Sequence, residues 1–458
     1  MSGPYTAIVS RMLFPAQETF KGHDTLRLRR LLEESQWWDR SRIERLQSDR
    51  LRALLVHAQR HVPYYRELFA HVGIAAEDIG DAEALARLPF LGKADIRTNV
   101  EALKSELARD LARFNTGGSS GEPLVFFIGK ERVSHDVAAK WRATRWWGVD
   151  IGDPEIVVWG SPIELGTQDR IRGWRDALMR TELLPAFEMS EVRLDAFVER
   201  IRQRRPKMLF GYPSALSLIA RHAAARGQRM DDLGVEVAFC TSERLYDEQR
   251  STIERTFGCR VANGYGARDA GFIAHECPAG GLHLTAEDII VEIVDAQGWP
   301  VPVGQSGEIV ITHLATRDFP FIRYRTGDVA ALDPTPCACG RGLPLLKDLQ
   351  GRSTDFVVAR DGTVMHGLAL IYVVRDLPQV AAFRIVQESL DLTRIVLVPA
   401  AGYSAEVEER IRRGMTDRLG QGVRIEVETA AEIRPETSGK YRYVMSRVER
   451  GEAPACET

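Results

Sequence analysis

The most informative stretch of the sequence is Asn115-Thr116-Gly117-Gly118-Ser119-Ser120-Gly121-Glu122-Pro123. Three glycines and three hydroxyl side chains fall within positions 116–121, which is more than packing requires. Glycine lets successive backbone N–H groups converge, and hydroxyls add donors for phosphate oxygens. No Gly-Lys-Ser/Thr ends the stretch, so it is not a Walker loop. The pattern predicts a phosphate-binding loop, with a flexible Gly/Ser surface loop as the alternative.

Short apolar runs alternate with helical patterns after this loop. The strand-like runs are Glu155–Trp159, Met208–Phe210 and Glu236–Cys240, and the helical ones are Leu194–Arg202, Ala215–Arg226 and Asp247–Phe257. Such alternation predicts a parallel sheet with crossover helices. From about Gly281 the pattern becomes rich in strands, which favours an antiparallel sheet or a distorted barrel.

The two ends of the chain have different patterns. Residues 25–70 have helical spacing, which we expect to stop at His61-Val62-Pro63-Tyr64-Tyr65, since the residue before a proline disfavours the helical region. Gly351–Asp355 is a polar break, followed by a hairpin candidate with a turn at Asp361-Gly362 and a charged helix at Ala405–Leu419. We therefore predict an α/β protein: a large N-terminal α/β region with parallel sheets and a β-barrel-like part, and a small mobile C-terminal α+β domain. The boundaries are 1–351, a hinge at 352–355, and 356–458.

Composition excludes several classes of protein. The 458 residues are 44% hydrophobic and 27% charged, with a net charge of −3. This excludes a disordered, collagenous or disulfide-scaffold protein, and argues against a nucleic-acid or membrane-surface binder, which needs a basic excess. No apolar run approaches the roughly 18 residues of a membrane span. Met1–Gln17 has no signal-peptide pattern, and six cysteines suit a reducing cytoplasm, where we expect the protein to act.

Five segments together resemble one known family. They are 115–123, Gly264-Tyr265-Gly266-Ala267-Arg268-Asp269, Tyr324-Arg325-Thr326-Gly327-Asp328, Gly351-Arg352-x-x-Asp355 and Pro435-Glu436-Thr437-Ser438-Gly439-Lys440. In this order and spacing they resemble the adenylate-forming superfamily of acyl-CoA synthetases, peptide-synthetase adenylation domains and luciferases. The match is to its phenylacetate–CoA ligase-like branch, and it covers about residues 40–447. The branch cues are a phosphate loop without lysine, His61–Tyr65, Glu276-Cys277 before Gly281-Leu282-His283, Phe319–Asp328, and Cys337-Ala338-Cys339-Gly340-Arg341.

The resemblance implies a nucleotide site. The loop would hold the β- and γ-phosphates, Tyr265 would lie against adenine, Asp328 would bind the ribose hydroxyls, and Arg352 would reach the ribose or a phosphate. The implied nucleotide-binding residues are Thr116, Gly118, Ser119, Ser120, Ser242, Glu243, Tyr265, Gly266, Asp328 and Arg352.

The resemblance also implies catalytic residues and a hinge. Lys440 would neutralise charge between the carboxylate and the α-phosphate during adenylation. The acidic residue that places Mg²⁺ is Asp269 here, one methylene shorter than the family's glutamate. Arg268 stands where the family has a small hydroxyl residue, which is a second departure. Asp355 would be the hinge residue, and Gly367 replaces a frequent proline of the thiol-transfer hairpin.

The acyl pocket is implied to lie between the phosphate loop and the adenine segment. Its candidates are Trp159, Tyr212, Pro213 and Gly264, and their aromatic rings suit an aryl or arylacetyl acid. The tryptophans at 141, 146 and 147 fit core packing as well as a pocket. His135 and Arg142 could hold a polar or second carboxylate group, or could be solvated.

A separate cluster indicates a metal site. Cys337 and Cys339 lie on one Gly/Pro-rich loop, and Cys277 and His283 on another. Two short ligand pairs on such loops are what a tetrahedral structural zinc site requires. His275 competes for the fourth position, Cys259 is a weaker candidate, and ordinary reduced thiols are the alternative.

These observations lead to a functional expectation. We predict ATP- and Mg²⁺-dependent activation of an aromatic carboxylic acid as an acyl-adenylate, with release of pyrophosphate, then transfer to a thiol, with coenzyme A as first choice. The alternatives are transfer to a carrier protein, an amine or another small nucleophile, and a catalytically inactive nucleotide-binding homologue. We expect no nucleic-acid or membrane partner, and a homodimer is left open.

Overall fold

The computed structural model describes residues 3–115, 124–159, 169–186, 189–295, 297–350, 356–375, 377–433 and 444–448. Seven residues singled out by the sequence lie outside these ranges, so their roles stay predictions. They are Thr116, Gly118, Ser119, Ser120, Arg352, Asp355 and Lys440.

Helices occupy the N-terminal part and the crossovers between strands. They are α1 (Pro4–Ile8), α2 (Phe14–Phe20), α3 (Thr25–Ser35), α4 (Arg40–His61), α5 (Pro63–Val72), α6 (Ala82–Leu85), α7 (Lys93–Thr98), α8 (Lys130–Trp146), α9 (Asp169–Leu178), α10 (Glu191–Arg204), α11 (Pro213–Ala225), α12 (Asp247–Phe257), α13 (Leu368–Arg375) and α14 (Ala405–Leu419). A π-helical turn, Val9–Leu13, joins α1 to α2, and Ala76–Asp78 is a 3₁₀ turn.

The helical pattern stops after His61, as the sequence predicted, but a second helix that was not predicted follows at once. Val62 is extended, with φ −118° and ψ 110°, and α5 begins at Pro63 itself. Proline suits the first helical position because its missing N–H would have had no helical partner there. The chain therefore bends at Val62 and starts a new helix.

The strands form one large sheet and three smaller units. They are β1 (Ala112–Asn115), β2 (Val125–Ile128), β3 (Glu155–Trp159), β4 (Thr181–Pro185), β5 (Met208–Gly211), β6 (Val237–Thr241), β7 (Arg260–Ala267), β8 (Gly271–Glu276), β9 (Leu282–Leu284), β10 (Ile289–Val294), β11 (Gly307–His313), β12 (Tyr324–Asp333), β13 (Leu345–Gln350), β14 (Phe356–Val358), β15 (Val364–His366), β16 (Val380–Ser389), β17 (Leu392–Pro399), β18 (Arg424–Thr429) and β19 (Val444–Ser446).

The large sheet is mixed, in the order β10-β11-β12-β13-β9-β8-β7-β6-β5-β3-β4. Strands β3 to β7 pair in parallel, with helices in their crossovers, as the alternating pattern predicted. Strands β8 to β13 pair antiparallel and continue the same sheet. The predicted β-barrel-like part is thus the antiparallel half of one sheet, and the predicted α/β class is confirmed.

The C-terminal part has its own small core. Strands β14 and β15 form the predicted hairpin, and Gly362 takes a φ of +84° at its turn. A four-stranded sheet, in the order β18-β17-β16-β19, packs with α13 and α14 around buried Leu370, Ile385 and Ile411. The predicted helix at 405–419 has the observed bounds.

Helix α8 positions the site because it lies against the large sheet. Its buried apolar side chains include Ala138, Ala139 and Ala143, whose small size lets the helix lie close to α3 and the strands. Among the described helices, none is long and apolar enough to cross a membrane.

Candidate active site

The carboxyl ends of the parallel strands meet at one edge of the sheet, where ligands usually bind in open α/β sheets. Thr241 at the end of β6 pairs with Gly264 of β7. Ser242 follows with a φ of +70°, and the Glu243 carboxylate accepts a hydrogen bond from the Ser214 N–H at 3.4 Å. The predicted nucleotide-binding residue Glu243 is therefore next to the start of α11, which follows the predicted pocket residue Tyr212.

Tyr265 and Asp328 are in direct contact. The Tyr265 hydroxyl donates a hydrogen bond to Asp328 Oδ2 at 3.0 Å, although the residues are 63 positions apart. Strands β8, β9 and β13 lie between their strands in the sheet order. The sheet must therefore curve strongly here, and this curvature brings the predicted adenine and ribose residues to one place.

Asp269 lies in the turn after β7, and buried residues of the protein core hold it in place. Its Oδ2 accepts a hydrogen bond of 2.5 Å from the hydroxyl of Tyr324, which is fully buried. Arg132 of α8 donates to the backbone carbonyls of Arg268 and Asp269 at 3.1 and 3.3 Å. A side chain at Gly266 would meet the Gly271 carbonyl at 2.4 Å, so the close β7–β8 pairing needs glycine there. The turn that presents Asp269 is thus fixed by one arginine, one tyrosine and one glycine.

Arg268 points from the same turn towards the predicted phosphate loop. Its Nη1 donates to the carbonyl of Asn115 at 3.3 Å. Asn115 is the last described residue before the Gly/Ser/Thr stretch. This departure from the family pattern therefore puts a guanidinium group beside the start of that stretch.

Aromatic rings line the region predicted to hold the acyl group. Trp159 stacks on Tyr212, with ring centroids 4.4 Å apart and an interplanar angle of 19°. Pro213 is the first residue of α11, directly after Tyr212. A side chain at Gly264 would meet the ring of Phe239 at 2.8 Å. The ring of Phe210, with its centroid 5.8 Å from that of Phe239 and 6.0 Å from that of Trp159, links Gly264 to the Trp159–Tyr212 pair.

The other candidates of this region lie in the protein interior. Trp141 is buried against Val9 and Phe14, so it is a core residue. Arg142 Nη1 forms an ion pair with Glu287 Oε1 at 2.6 Å, and His135 Nδ1 lies 2.6 Å from Asp288 Oδ1. Neither His135 nor Arg142 is solvated.

Burial acts to raise the pKa of Asp288. Its partner His135 and the nearby Arg50 outweigh this and hold that pKa well below the ordinary range. Asp288 therefore stays ionised in the folded protein.

The structure brings together Cys277, His283, Cys337 and Cys339. One ligand atom from each lies within 4.8 Å of the others. The two Sγ atoms of Cys277 and Cys337 are 3.6 Å apart, and Cys339 Sγ is 3.2 Å from His283 Nε2. Tetrahedral zinc with bonds of 2.0–2.3 Å requires ligand separations of about 3.6–3.8 Å. The four residues therefore fit a tetrahedral metal site in type and number, and their separations, from 3.2 Å to at most 4.8 Å, lie on both sides of the tetrahedral value.

Contacts around this cluster orient its histidine. His283 Nδ1 lies 3.4 Å from the Leu343 carbonyl, so that nitrogen is the donor and Nε2 is left for a metal. Burial lowers the pKa of His283 to about 4 and raises that of Cys277 to about 12. Burial also acts to raise the pKa of Cys339, but hydrogen bonds, the first from Arg341, outweigh it and lower that pKa.

The competing ligands lie elsewhere. His275 stacks on Phe272 at 5.5 Å and is not in the four-residue cluster. Burial, with help from the charge of Arg142, lowers its pKa to about 3. Cys259 packs in the core beneath the parallel strands. The sequence-based choice of His283 over His275 therefore agrees with the geometry.

Sequence reasoning gave no role to Arg132 or Tyr324. Tyr324 was quoted in a family segment, but nothing in that segment indicates that its hydroxyl meets Asp269. Arg132 lies in a helix beside Glu131 and Asp136, which is the pattern of an exposed helix face. Only the packing of α8 against the turn after β7 shows that this arginine is buried.

Comparisons with known proteins agree with this geometry. A family model described as AMP-binding enzyme matches residues 183–315, and one described as CapK C-terminal domain matches residues 357–447. A phenylacetate-coenzyme A ligase of Thermus thermophilus is 25% identical over 438 residues, covering 89% of this chain and 97% of the relative. Protein CapK of Staphylococcus aureus is 22% identical, covering 88% and 89%.

A further curated relative and one solved structure add to this. A phenylacetate-coenzyme A ligase of Pseudomonas putida is 28% identical over 321 residues, covering 69% of this chain and 71% of the relative. The structure of a 2-hydroxyisobutyryl-CoA ligase with 2-HIB-AMP and CoA has a TM-score of 0.66 and 22% identity, covering 90% and 91% of the two chains. The chain shares the fold of that enzyme.

Proposed function

Because the chain belongs to the adenylate-forming superfamily, in its phenylacetate–CoA ligase-like branch, we propose that it is an AMP-forming acid–thiol ligase. It activates an aromatic carboxylic acid with ATP as an acyl-adenylate, releases pyrophosphate, and passes the acyl group to coenzyme A. The phenylacetate-coenzyme A ligases among its relatives support both the reaction and the class of acid.

The contact between Tyr265 and Asp328 is the observation that carries the proposal. An aromatic ring next to a carboxylate, here in the middle of β12, supplies a stacking face for adenine and acceptors for ribose hydroxyls. Ser242 and Glu243, which follow the neighbouring strand β6, are assigned to the other face of the adenine ring. A nucleotide held here has its phosphates near the turn that carries Arg268 and Asp269.

Charge handling accounts for the remaining roles. A carboxylate must approach a triphosphate, so positive charge has to offset their repulsion. Arg268 supplies a fixed positive charge, Thr116 to Ser120 supply hydroxyl and backbone donors, and Lys440 supplies a charge at the reacting atoms. Arg352 binds the ribose or a phosphate from the segment between the two parts of the chain.

Two metals fit the residues present. The Asp269 carboxylate is a hard oxygen ligand that suits Mg²⁺, which in such sites offsets phosphate charge. The set Cys277, His283, Cys337 and Cys339 suits Zn²⁺. Four protein ligands leave no open position for substrate, so this zinc is structural.

The domain division belongs to the same proposal. Residues 1–351 bind nucleotide and acid, and 356–458 form a mobile domain that carries Lys440. Asp355 is the hinge. Lys440 must reach the α-phosphate in the first step and leave to admit a thiol in the second.

ATP–pyrophosphate exchange across a panel of carboxylic acids tests this function. Wild-type protein should exchange with arylacetic or benzoic acids, and the acyl-adenylate should be consumed by coenzyme A faster than by carrier-protein or amine acceptors. Lys440→Ala should lower exchange a hundredfold to a thousandfold, about 3–4 kcal/mol, while ATP still binds. The proposal would be contradicted if none of the acids supported exchange. It would also be contradicted if Lys440→Ala exchanged as fast as wild type.

A further inference from the structure

Arg132 and Asp136 form an ion pair on one face of α8, next to the turn that follows β7. They are four positions apart, so they share a helix face, and Arg132 Nε donates to Asp136 Oδ2 at 3.0 Å. The Arg132 side chain is 2% exposed and that of Asp136 is 22% exposed. Neither residue has a part in the function proposed above.

The guanidinium group of Arg132 joins Asp136 to the turn. While Nε donates to the Asp136 carboxylate, Nη2 donates to the Arg268 carbonyl at 3.1 Å and Nη1 to the Asp269 carbonyl at 3.3 Å. Each of its three nitrogens therefore has an acceptor. A guanidinium group is planar and its donors keep a fixed geometry, so the two successive carbonyls are held at a set place relative to α8.

The strand pairing does not extend to this turn. The pairing of β7 with β8 shifts register directly after Tyr265, and its last paired residues are Ala267 and Gly271. Positions 268–270 therefore lie outside the ladder. The position of this turn depends on the contacts of Arg132, whereas Tyr265 is held within the sheet.

Asp136 keeps the guanidinium in place because it is an anion. Burial acts to raise the pKa of Asp136, but Arg132 and His313 outweigh this and lower that pKa. The Ala315 N–H donates to His313 Nδ1 at 3.3 Å, so the proton of the neutral ring is on Nε2, which lies 3.8 Å from Asp136 Oδ1. Loss of the Asp136 charge would leave the buried Arg132 uncompensated.

We propose that Arg132 and Asp136 are positioning residues that set the phosphate and Mg²⁺ end of the nucleotide site. They act through the turn at 268–269, and not through the adenine and ribose contacts of Tyr265 and Asp328. This inference rests on the proposed function and adds to it two residues that touch no substrate.

Calorimetry with MgATP and with AMP tests the proposal without requiring turnover. Asp136→Asn keeps the size of the side chain and removes its charge. It should weaken MgATP binding at least about tenfold, as loss of a group that orients a metal ligand usually does, and change AMP binding less than about threefold, because AMP keeps its adenine and ribose contacts. In pyrophosphate exchange, the Mg²⁺ concentration for half-maximal rate should rise while KM for the acid stays unchanged.

Arg132→Lys is the second variant. It keeps the positive charge but offers one nitrogen in place of three, so it cannot hold Asp136 and both carbonyls in the same geometry. We expect it to change MgATP binding and Mg²⁺ dependence in the same direction as Asp136→Asn. If Asp136→Asn does not fold, Arg132→Lys decides the question by the same measurements.

A matched control lies beside the pair on the same helix. Glu131 forms an ion pair with Arg317 at 2.7 Å, so Glu131→Gln also replaces a carboxylate by its amide and loses an arginine partner. It should leave MgATP binding, AMP binding and Mg²⁺ dependence unchanged. Urea unfolding of each variant measures its loss of stability separately.

A double variant distinguishes positioning from a general structural role. In an Asp269→Asn background, the effect of Asp136→Asn on exchange should be at least about threefold smaller than in wild type, because the carboxylate that it positions is already lost. Residues that act through one another are coupled in this way, whereas independent effects are additive.

Each outcome decides the question. Equal weakening of MgATP and AMP, no weakening of either, or full additivity with Asp269→Asn would overturn the inference while leaving the proposed function intact. If wild type neither bound MgATP nor catalysed exchange with any acid, the proposed function would be refuted, and the inference would fall with it.

Discussion

Tyr324→Phe should impair adenylation although the phenol ring itself touches no substrate in our proposal. The substitution removes one hydroxyl group and leaves the ring in the core. That hydroxyl donates to Asp269 Oδ2 at 2.5 Å, and Asp269 is the carboxylate proposed to place Mg²⁺. Because aspartate is one methylene shorter than the family's glutamate, its position depends more strongly on what holds it.

The expected magnitude follows from the contact. A hydrogen bond to a buried carboxyl group of this kind contributes about 1.5–3 kcal/mol. Its loss leaves the carboxylate oxygen without this donor and frees the side chain to rotate. If that free energy is lost from the transition state, kcat/KM for pyrophosphate exchange should fall about tenfold to a hundredfold. The Mg²⁺ concentration for half-maximal exchange should rise.

Tyr65→Phe is the matched control. Tyr65 is also buried, in the same core cluster as Tyr324, and its hydroxyl donates to the Pro320 carbonyl at 3.1 Å. Its removal should lower the free energy of unfolding by about 1 kcal/mol and leave exchange and Mg²⁺ dependence unchanged. Urea unfolding of both variants separates loss of stability from loss of catalysis.

If Tyr324→Phe lost stability like Tyr65→Phe but kept wild-type exchange and Mg²⁺ dependence, Tyr324 would be a core residue only. Asp269 would then not need its buried partner for catalysis.

Four further predictions concern other parts of the chain. Cys337→Ser should lose the one zinc expected per chain by metal analysis and lower the Tm, because zinc binding is coupled to folding; metal-free wild type of full stability would contradict this. Arg268→Ser should weaken ATP binding more than AMP binding in calorimetry, and an unchanged ATP-to-AMP ratio would remove its phosphate role. Asp355→Pro fixes φ near −65° and should slow one half-reaction at least about tenfold while sparing the other; equal slowing would move the hinge elsewhere. Burial lowers the pKa of His313 to about 4, among Arg132, Asp136 and Asp288. Between pH 6.5 and 4 the unfolded chain therefore binds a proton that the folded protein does not. As the pH is lowered through this range, the free energy of unfolding should fall by up to about 1.4 kcal/mol per pH unit. His313→Gln should reduce this slope in urea titrations, and an equal slope in the variant would show that His313 does not cause it.

Local patterns predicted the elements well because periodicity and turn chemistry act over a few residues. The Asp361-Gly362 turn and the helix at 405–419 needed no information from elsewhere in the chain. The restart of the helix at Pro63 was missed because proline is compatible both with the end of one helix and the start of another.

Long-range contacts could not be predicted in the same way. Arg142 and Glu287 are 145 positions apart, and nothing local marks them as partners. The contact of Tyr265 with Asp328 depends on sheet curvature, which a single sequence does not reveal. The Cys/His set was identified because its ligand types are distinctive and its two pairs lie on short loops.

Arg268 and Asp269, the two departures from the family pattern, lie in one turn. Contacts with neighbouring residues hold both of them in place. Arg132 is buried, and it donates to Asp136 and to the carbonyls of both residues. Burying a guanidinium group is costly unless its donors are satisfied, and here the donors hold the turn in place. Tyr324 holds the shorter carboxylate, and Arg268 reaches Asn115 at the start of the predicted phosphate loop. A turn fixed at its backbone and at both side chains favours an altered but working site over a catalytically inactive homologue.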